Sequence, residues 1–186
     1  MQTIKAALAI KLKEEMGVAN MLQREHEMME MIWEGFDDIP NLHVLAEDSR
    51  DRLGVFSFYI EDLHYNLAVR LLNDKFGVQV RGGCSCAGTY GHYLLHVTKK
   101  RSHSMTSRID RGDFSAKLGW IRMSIHPIMS NEELQYVLYA IRSVATHFVE
   151  WEKDYQYDVR TNEFIHHSQP HIEQEIVENW FETQWI

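Results

Sequence analysis

The stretch that most narrows the fold is "GWIRMSIHPIMSNEELQYVLYAIRSVATHF", residues 119–148. Trp120, Arg122 and Ser124 alternate with Ile121, Met123 and Ile125, the period-two pattern of a strand with two distinct faces. Ser130 with Glu133 three residues on forms a capping box, in which two orphan backbone N–H groups are satisfied reciprocally. Leu134, Val137, Leu138, Ile141, Val144 and Phe148 then recur at helical spacing on one stripe. A one-sided strand followed by a one-sided helix hides both apolar faces by stacking a sheet on helices.

The rest of the chain repeats that theme. Ile4, Leu8, Leu12 and Met16 make a four-residue apolar stripe that predicts a helix stopped by Gly17. A second helix is expected from about Asn20, with Leu22, Met29, Ile32, Trp33 and Phe36 inward and Pro40 closing it. Met28, Met29 and Met31 read as core filler on that helix, against the alternative of a partner groove. Residues 42–46 and 52–60, rich in β-branched and aromatic side chains, predict two strands around a polar connection. Asp62 is placed to cap a further helix with Leu63, Leu67, Val69, Leu71 and Leu72 buried and Gly77 at its end. "VQV", residues 78–80, reads as a short strand running into "RGGCSCAG". Residues 98–117, where apolar side chains thin out and basic ones gather, read as a long, mobile, exposed loop, with phosphate or polyanion binding as the alternative. Residues 155–167 suggest two short strands around a turn at Thr161-Asn162, and the end of the chain an acidic helix.

This order predicts an α+β fold, a mostly antiparallel sheet packed on helices in two layers. It divides into a domain over residues 1–150 and an extension over 151–186, the hairpin and acidic helix, packed on it. The chain is long enough for a substantial core, and its 45% apolar and 25% charged content is that of an ordinary folded protein. A net charge of −8 argues against nucleic acid as the partner. The run "AALAI" near the start is too short for a signal-peptide core or a membrane span. With two cysteines, this predicts a reducing, cytoplasmic setting.

Both cysteines, Cys84 and Cys86, sit in the glycine-rich stretch. A disulfide between them would close a very small, strained ring. Cys84, Cys86, His92 and His96 could supply four zinc ligands, but the single C-x-C lacks the paired C-x2-C knuckles of structural sites, and two histidines one helical turn apart also suit an ordinary helix face. A thiol in a loop beside Arg81 and free backbone amides favours the reactive thiolate; a buried, inert cysteine is the other reading. Arg122, mid-strand between Trp120 and Ile121 on one side and Met123 and Ser124 on the other, must be paired or point into a cleft. Its planar fork suits a bidentate carboxylate clamp, and a structural ion pair or a snorkelling side chain would serve equally.

Taken together, "GVQVRGGCSCAGTYGHYLL" and "GWIRMSIHPIMSNEEL" resemble the C-terminal part of class V aminotransferases, the pyridoxal-phosphate (PLP) group that includes cysteine desulfurases and selenocysteine lyases. Gly77, Val78, Val80, Arg81, Gly83, Cys86 and Ala87 match the family's Gly-(Ile/Val)-x-Val-Arg-x-Gly-x-x-Cys-Ala segment. Ile121, Arg122, Met123 and Ser124, with the Ser130 cap, match its (Val/Ile)-Arg-(Ile/Met/Leu)-Ser segment. Residues 54–77 are similar to the strand and helix that lead into the cysteine segment, and residues 4–28 resemble the helix that leaves the large domain, so the likeness spans most of residues 1–150.

The resemblance implies the small domain of a fold-type I PLP enzyme acting on a small amino acid. It implies Cys86 as the nucleophile that holds substrate sulfur, Arg122 as the α-carboxylate clamp, and Arg81 lining the site. It also implies a homodimer, much of whose contact would belong to the missing part; the charge and the short apolar run already speak against nucleic acid and membrane as partners. The departures are specific. Cys84 and Ser85 stand where desulfurases often carry histidines, and the basic segment lengthens the gap from Cys86 to Arg122. There is no His-Lys pair and no strand-helix alternation from which to build the large PLP domain. The expectation is therefore a domain whose PLP and lysine lie in a missing large domain, with no cofactor, metal or turnover of its own. The alternatives are a stand-alone thiol-bearing sulfur acceptor without PLP and a zinc-stabilised interaction domain.

Overall fold

A computed structural model of the protein describes residues 2–84, 88–168, 176–177 and 180. Helices α1 (Gln2–Met16) and α2 (Val18–Asp37) come first, then strands β1 (Leu42–Val44) and β2 (Val55–Ile60) and helix α3 (Tyr65–Phe76). Strand β3 (Arg81–Gly83), helices α4 (Gly88–Leu94) and α5 (Lys99–Ile109), strand β4 (Trp120–Ser124) and helix α6 (Asn131–Trp151) follow. A hairpin, β5 (Tyr155–Asp158) and β6 (Glu163–His166), comes after. The main sheet has the order β1-β2-β4-β3, and every neighbouring pair is antiparallel.

The alternation of β2 and β4 builds the core. Phe56 pairs with Met123 and Phe58 with Ile121, so all four side chains leave the sheet on one face. Helices α2, α3 and α6 cover that face with Met28, Ile32, Trp33, Phe36, Leu67, Leu71, Leu72, Leu134, Ile141 and Val144. The Trp33 and Phe56 rings meet edge to face at 5.2 Å. Full burial of Phe56 or Phe58 contributes about 1.5–3 kcal/mol each. The Ser130–Glu133 capping box forms as expected, and Gly77 ends α3 at φ 65 with its N–H returned to Asn73 O. The fold is α+β, with an antiparallel four-stranded sheet layered on helices.

Several elements depart from expectation. Residues 98–117 are not one long loop: Lys99–Ile109 form α5, capped by Thr98 accepting from Arg101 N, with Met105 buried beneath it, and only residues 110–117 remain a turn and loop. Residues 78–80 are not the strand. Pairing with β4 begins at Arg81 and takes in both glycines, while Val78 and Val80 pack against the core. His64, not Asp62, caps α3, its Nδ1 accepting from Asn66 N at 3.2 Å. Leu22 is exposed rather than inward, and α1 carries no buried residue, so Ile4, Leu8 and Leu12 face outward. The hairpin turns at Asn162 as expected, whereas the acidic terminal helix falls largely outside the described residues. No described helix is long and apolar enough to cross a membrane.

Candidate functional site

The face of the sheet turned away from the core carries the sequence-predicted arginines. Arg122 on β4 has Ser57 of β2 as its Cα partner on one side and Arg81 of β3 on the other. Residues directly opposite in an antiparallel ladder share a face, so Ser57, Arg122 and Arg81 stand in one row. Arg122 is half-buried and Arg81 exposed. Among the described residues neither makes an ion pair or a side-chain hydrogen bond. The row therefore sets two fixed positive charges beside each other with no carboxylate among the described residues paired to either, an arrangement suited to an anionic ligand.

β3 leads straight into the cysteine segment. Cys84 follows Gly83 as a half-buried free thiol. Cys86, the expected nucleophile, lies outside the described residues. Helix α4 begins at Gly88 and passes so close to Trp120 that a Cβ on Gly91 would sit 2.8 Å from the indole. This covers the Trp120 ring, which a polar sheet face would otherwise leave in water. α4 ends at Leu94, and His96 lies beyond it at φ 49, so His92 and His96 do not share a helix face. Among the described residues no group of three or more His, Cys, Asp or Glu side chains could hold a metal ion.

A residue that sequence reasoning passed over ties these pieces together. Tyr65, the first residue of α3, lies against both β3 and the entry to β4. A Cβ on Gly82 would meet its ring at 2.9 Å, and one on Gly119 would meet it at 2.6 Å. Asn162 at the hairpin turn, 7% exposed, donates to Tyr65 Oη at 2.7 Å and accepts from Tyr157 Oη at 2.8 Å. Its carbonyl accepts from the Asn66 side chain. Burial pushes the Tyr65 phenol up; the Asn162 hydrogen bond opposes this and nearby Cys84 adds to it. His64 stacks on Tyr65 at 4.6 Å and leans on Tyr157 and Phe164 at 5.3 and 5.2 Å. Burial holds its imidazole below the ordinary 6.5, and Nε2 is enclosed without a partner. The signal for this strut was present in the sequence as glycines at 82 and 119, each making room for the same ring.

A family model described as Aminotransferase class-V matches residues 1–137. No curated protein matches the sequence. Among solved structures, the chain is similar to an apo cysteine desulfurase from Thermococcus onnurineus NA1, at 23% identity and TM-score 0.49, over 72% of this chain and 28% of that one. It is similar to a C-DES mutant with glycine covalently linked to the PLP cofactor, at 20% identity and TM-score 0.49, over 72% of this chain and 26% of that one. It is also similar to the cysteine desulfurase CsdA from Escherichia coli in an S-sulfonic acid form, at 18% identity and TM-score 0.47, over 68% of this chain and 26% of that one. The chain thus spans no more than 28% of the length of these structures.

Proposed function

The chain belongs to the aminotransferase class-V family, and from that premise we propose that it is the C-terminal, small domain of a PLP-dependent enzyme of the cysteine desulfurase and selenocysteine lyase type, acting on a small amino acid. Residues 1–150 form that domain and residues 151–186 an extension packed on it. The observation that carries the reading is the half-buried Arg122, without an ion pair among the described residues, with Arg81 as its cross-strand partner three residues before Cys84. Arg122 takes the substrate α-carboxylate in a bidentate grip, Arg81 supports the same charge, and Cys86 is the nucleophile that receives sulfur.

The sheet face that carries the arginines does not by itself fit the cofactor. The four strands of the sheet contribute two arginines and no lysine, so this face offers a carboxylate site but not the amine that tethers PLP. The cofactor and its lysine belong in this reading to a large domain outside these residues, within a cytoplasmic homodimer.

The test is kinetic, on the enzyme assembled with its large domain. Loss of the Arg122 grip in Arg122→Ala removes a charge-assisted pair of hydrogen bonds, about 1.5–3 kcal/mol, and so lowers kcat/KM about ten- to a hundredfold, chiefly through KM. Cys86→Ala abolishes sulfur release while leaving the Arg122-dependent KM in place. An Arg122→Ala enzyme with unchanged kcat/KM would sink the clamp. Turnover of cysteine by this chain alone, supplied with PLP, would sink the assignment of the cofactor to another domain.

A further inference from the structure

The segment that lengthens the gap between Cys86 and Arg122 is strongly basic. Residues 98–117 hold six Lys or Arg against two Asp, a local balance of +4 in a chain of net charge −8. α5 and the turn after it are locked together. Arg108 Nε donates to Asp113 Oδ2 at 2.8 Å, and its Nη2 to Ser115 Oγ at 2.6 Å. Ser115 in turn donates to Asp113 Oδ1 from both Oγ (2.6 Å) and N (3.0 Å). These bonds hold the Asp113 carboxyl down at about 2, the Ser115 side chain being the largest cause. Phe114 N donates to Val159 O at 2.9 Å and anchors the turn to the hairpin.

The locked turn and the helix flank a half-open cavity of about 370 Å³ lined by Arg101, Ser104, Arg108, Ser115 and Lys117 among others, with no carboxylate in its wall. Asp113 offsets only Arg108. Among the described residues, Arg101 and the half-buried Lys117 have no ion-pair partner, and the Ser104 hydroxyl has no hydrogen bond. Arg101, Lys117 and Leu118 also line an adjoining cavity of about 520 Å³, where Leu63, Tyr59 and Tyr65 give it an apolar and aromatic side and Glu61 and Asp62 an acidic one.

We infer that this cavity binds the phosphate group of a small phosphomonoester whose apolar body lies in the adjoining one. Three cations less one committed aspartate leave a charge of +2, which matches the −1.5 to −2 of a phosphomonoester at about pH 7. Donors from several directions suit the three oxygens of a phosphate better than the planar pair of a carboxylate. Arg101, Ser104, Arg108 and Lys117 line one cleft, which favours a small molecule; an acidic polypeptide would need its cations spread along an extended surface. Glu61 and Asp62 repel a second anion from the larger cavity, which sets the ligand's direction. The site uses neither Arg81 nor Arg122, and it stands whether or not the amino-acid reading holds.

The experiment is calorimetric titration of the whole chain with phenyl phosphate and with inorganic phosphate. Saturable one-to-one binding of phenyl phosphate is expected, at least about tenfold tighter than inorganic phosphate. Exposed Arg101→Gln and, separately, Lys117→Gln should each weaken it about tenfold or more, while Lys13→Gln on α1 should change nothing; far-UV circular dichroism verifies that each variant folds. Equal affinity for the two probes overturns the assignment of the adjoining cavity. Absence of saturable binding, or binding untouched by both cavity substitutions, overturns the site. Capture of polyglutamate but not phenyl phosphate, lost in Arg101→Gln, overturns it in favour of an acidic polypeptide surface.

Discussion

Arg81 and Arg122 are Cα partners across the β3–β4 ladder, like charges side by side on one sheet face with no described carboxylate paired to either. Like charges directly opposite each other in a sheet are destabilising, by about 0.2–1 kcal/mol. An anionic ligand between the two guanidinium groups would offset that cost. Arg81→Gln in the isolated chain is therefore expected to raise the urea midpoint, by a stabilisation of about 0.2–1 kcal/mol with the m-value unchanged. A structural ion pair would give a lowered midpoint instead.

The close approach of Tyr65 to the glycines predicts a steric effect. Gly82→Ala places a methyl within 2.9 Å of both Tyr65 and the Asn66 side chain and 3.0 Å from Val69. The overpacking should destabilise by about 1–3 kcal/mol, read by thermal or urea unfolding. Gly83→Ala, where the added Cβ meets nothing within 4 Å, should cost only what its φ of 121 imposes on a side chain.

Asn162 links the hairpin to α3 through Tyr65, Tyr157 and Asn66. Asn162→Ala leaves buried phenol groups without partners and should cost about 1–3 kcal/mol. Increased protease cleavage within residues 155–167 at native conditions would check that the loss is felt in the hairpin.

Acid should weaken the protein through His64. Its folded-state pKa lies below 6.5, so as the pH falls the unfolded chain takes up its proton first. The contribution is whole above 6.5 and is lost progressively as the pH falls through that value toward the folded-state pKa. His64→Asn, which keeps a capping side chain, should flatten the stability slope between about pH 7 and pH 5. An unchanged slope would place the acid sensitivity elsewhere.

α1 carries no buried residue, and Leu8 is 61% exposed. Its amides should exchange with solvent orders of magnitude faster than those of Met28 to Phe36 in α2, as hydrogen exchange resolved by residue would show. Leu8→Ala should cost less than about 0.5 kcal/mol, whereas Leu67→Ala should cost about 2–5 kcal/mol.

The legible parts of the fold were those in which local chemistry and tertiary demand agree. The two faces of β4, the Ser130 box, the left-handed stop at Gly77 and the turn at Asn162 each follow from residues close in sequence. α5 was not legible because it has no apolar stripe: a Thr98 cap, a single buried Met105 and the Arg108–Asp113 lock hold it. β3 was hidden because Arg-Gly-Gly has no strand preference of its own; β4 imposes the pairing, and Tyr65 requires the missing Cβ at Gly82. His64 displaced Asp62 as cap because Asp62 takes up a left-handed conformation at φ 60, two residues too early. Of the site, the two arginines could be named from their pattern, but that they face each other is a matter of register. The Tyr65–Asn162 strut joins residues 97 apart and left only the two glycines as a trace.

The sheet's outer strand on the cysteine side is three residues long, opens with an arginine and ends on a glycine twisted to φ 121. Such a border offers too few backbone groups in line, and too much charge, to accept a foreign strand or to seed fibrils. Growth of the sheet is closed off on this side, so a partner meeting the protein here does so over the face that carries the arginine row and not by adding a strand.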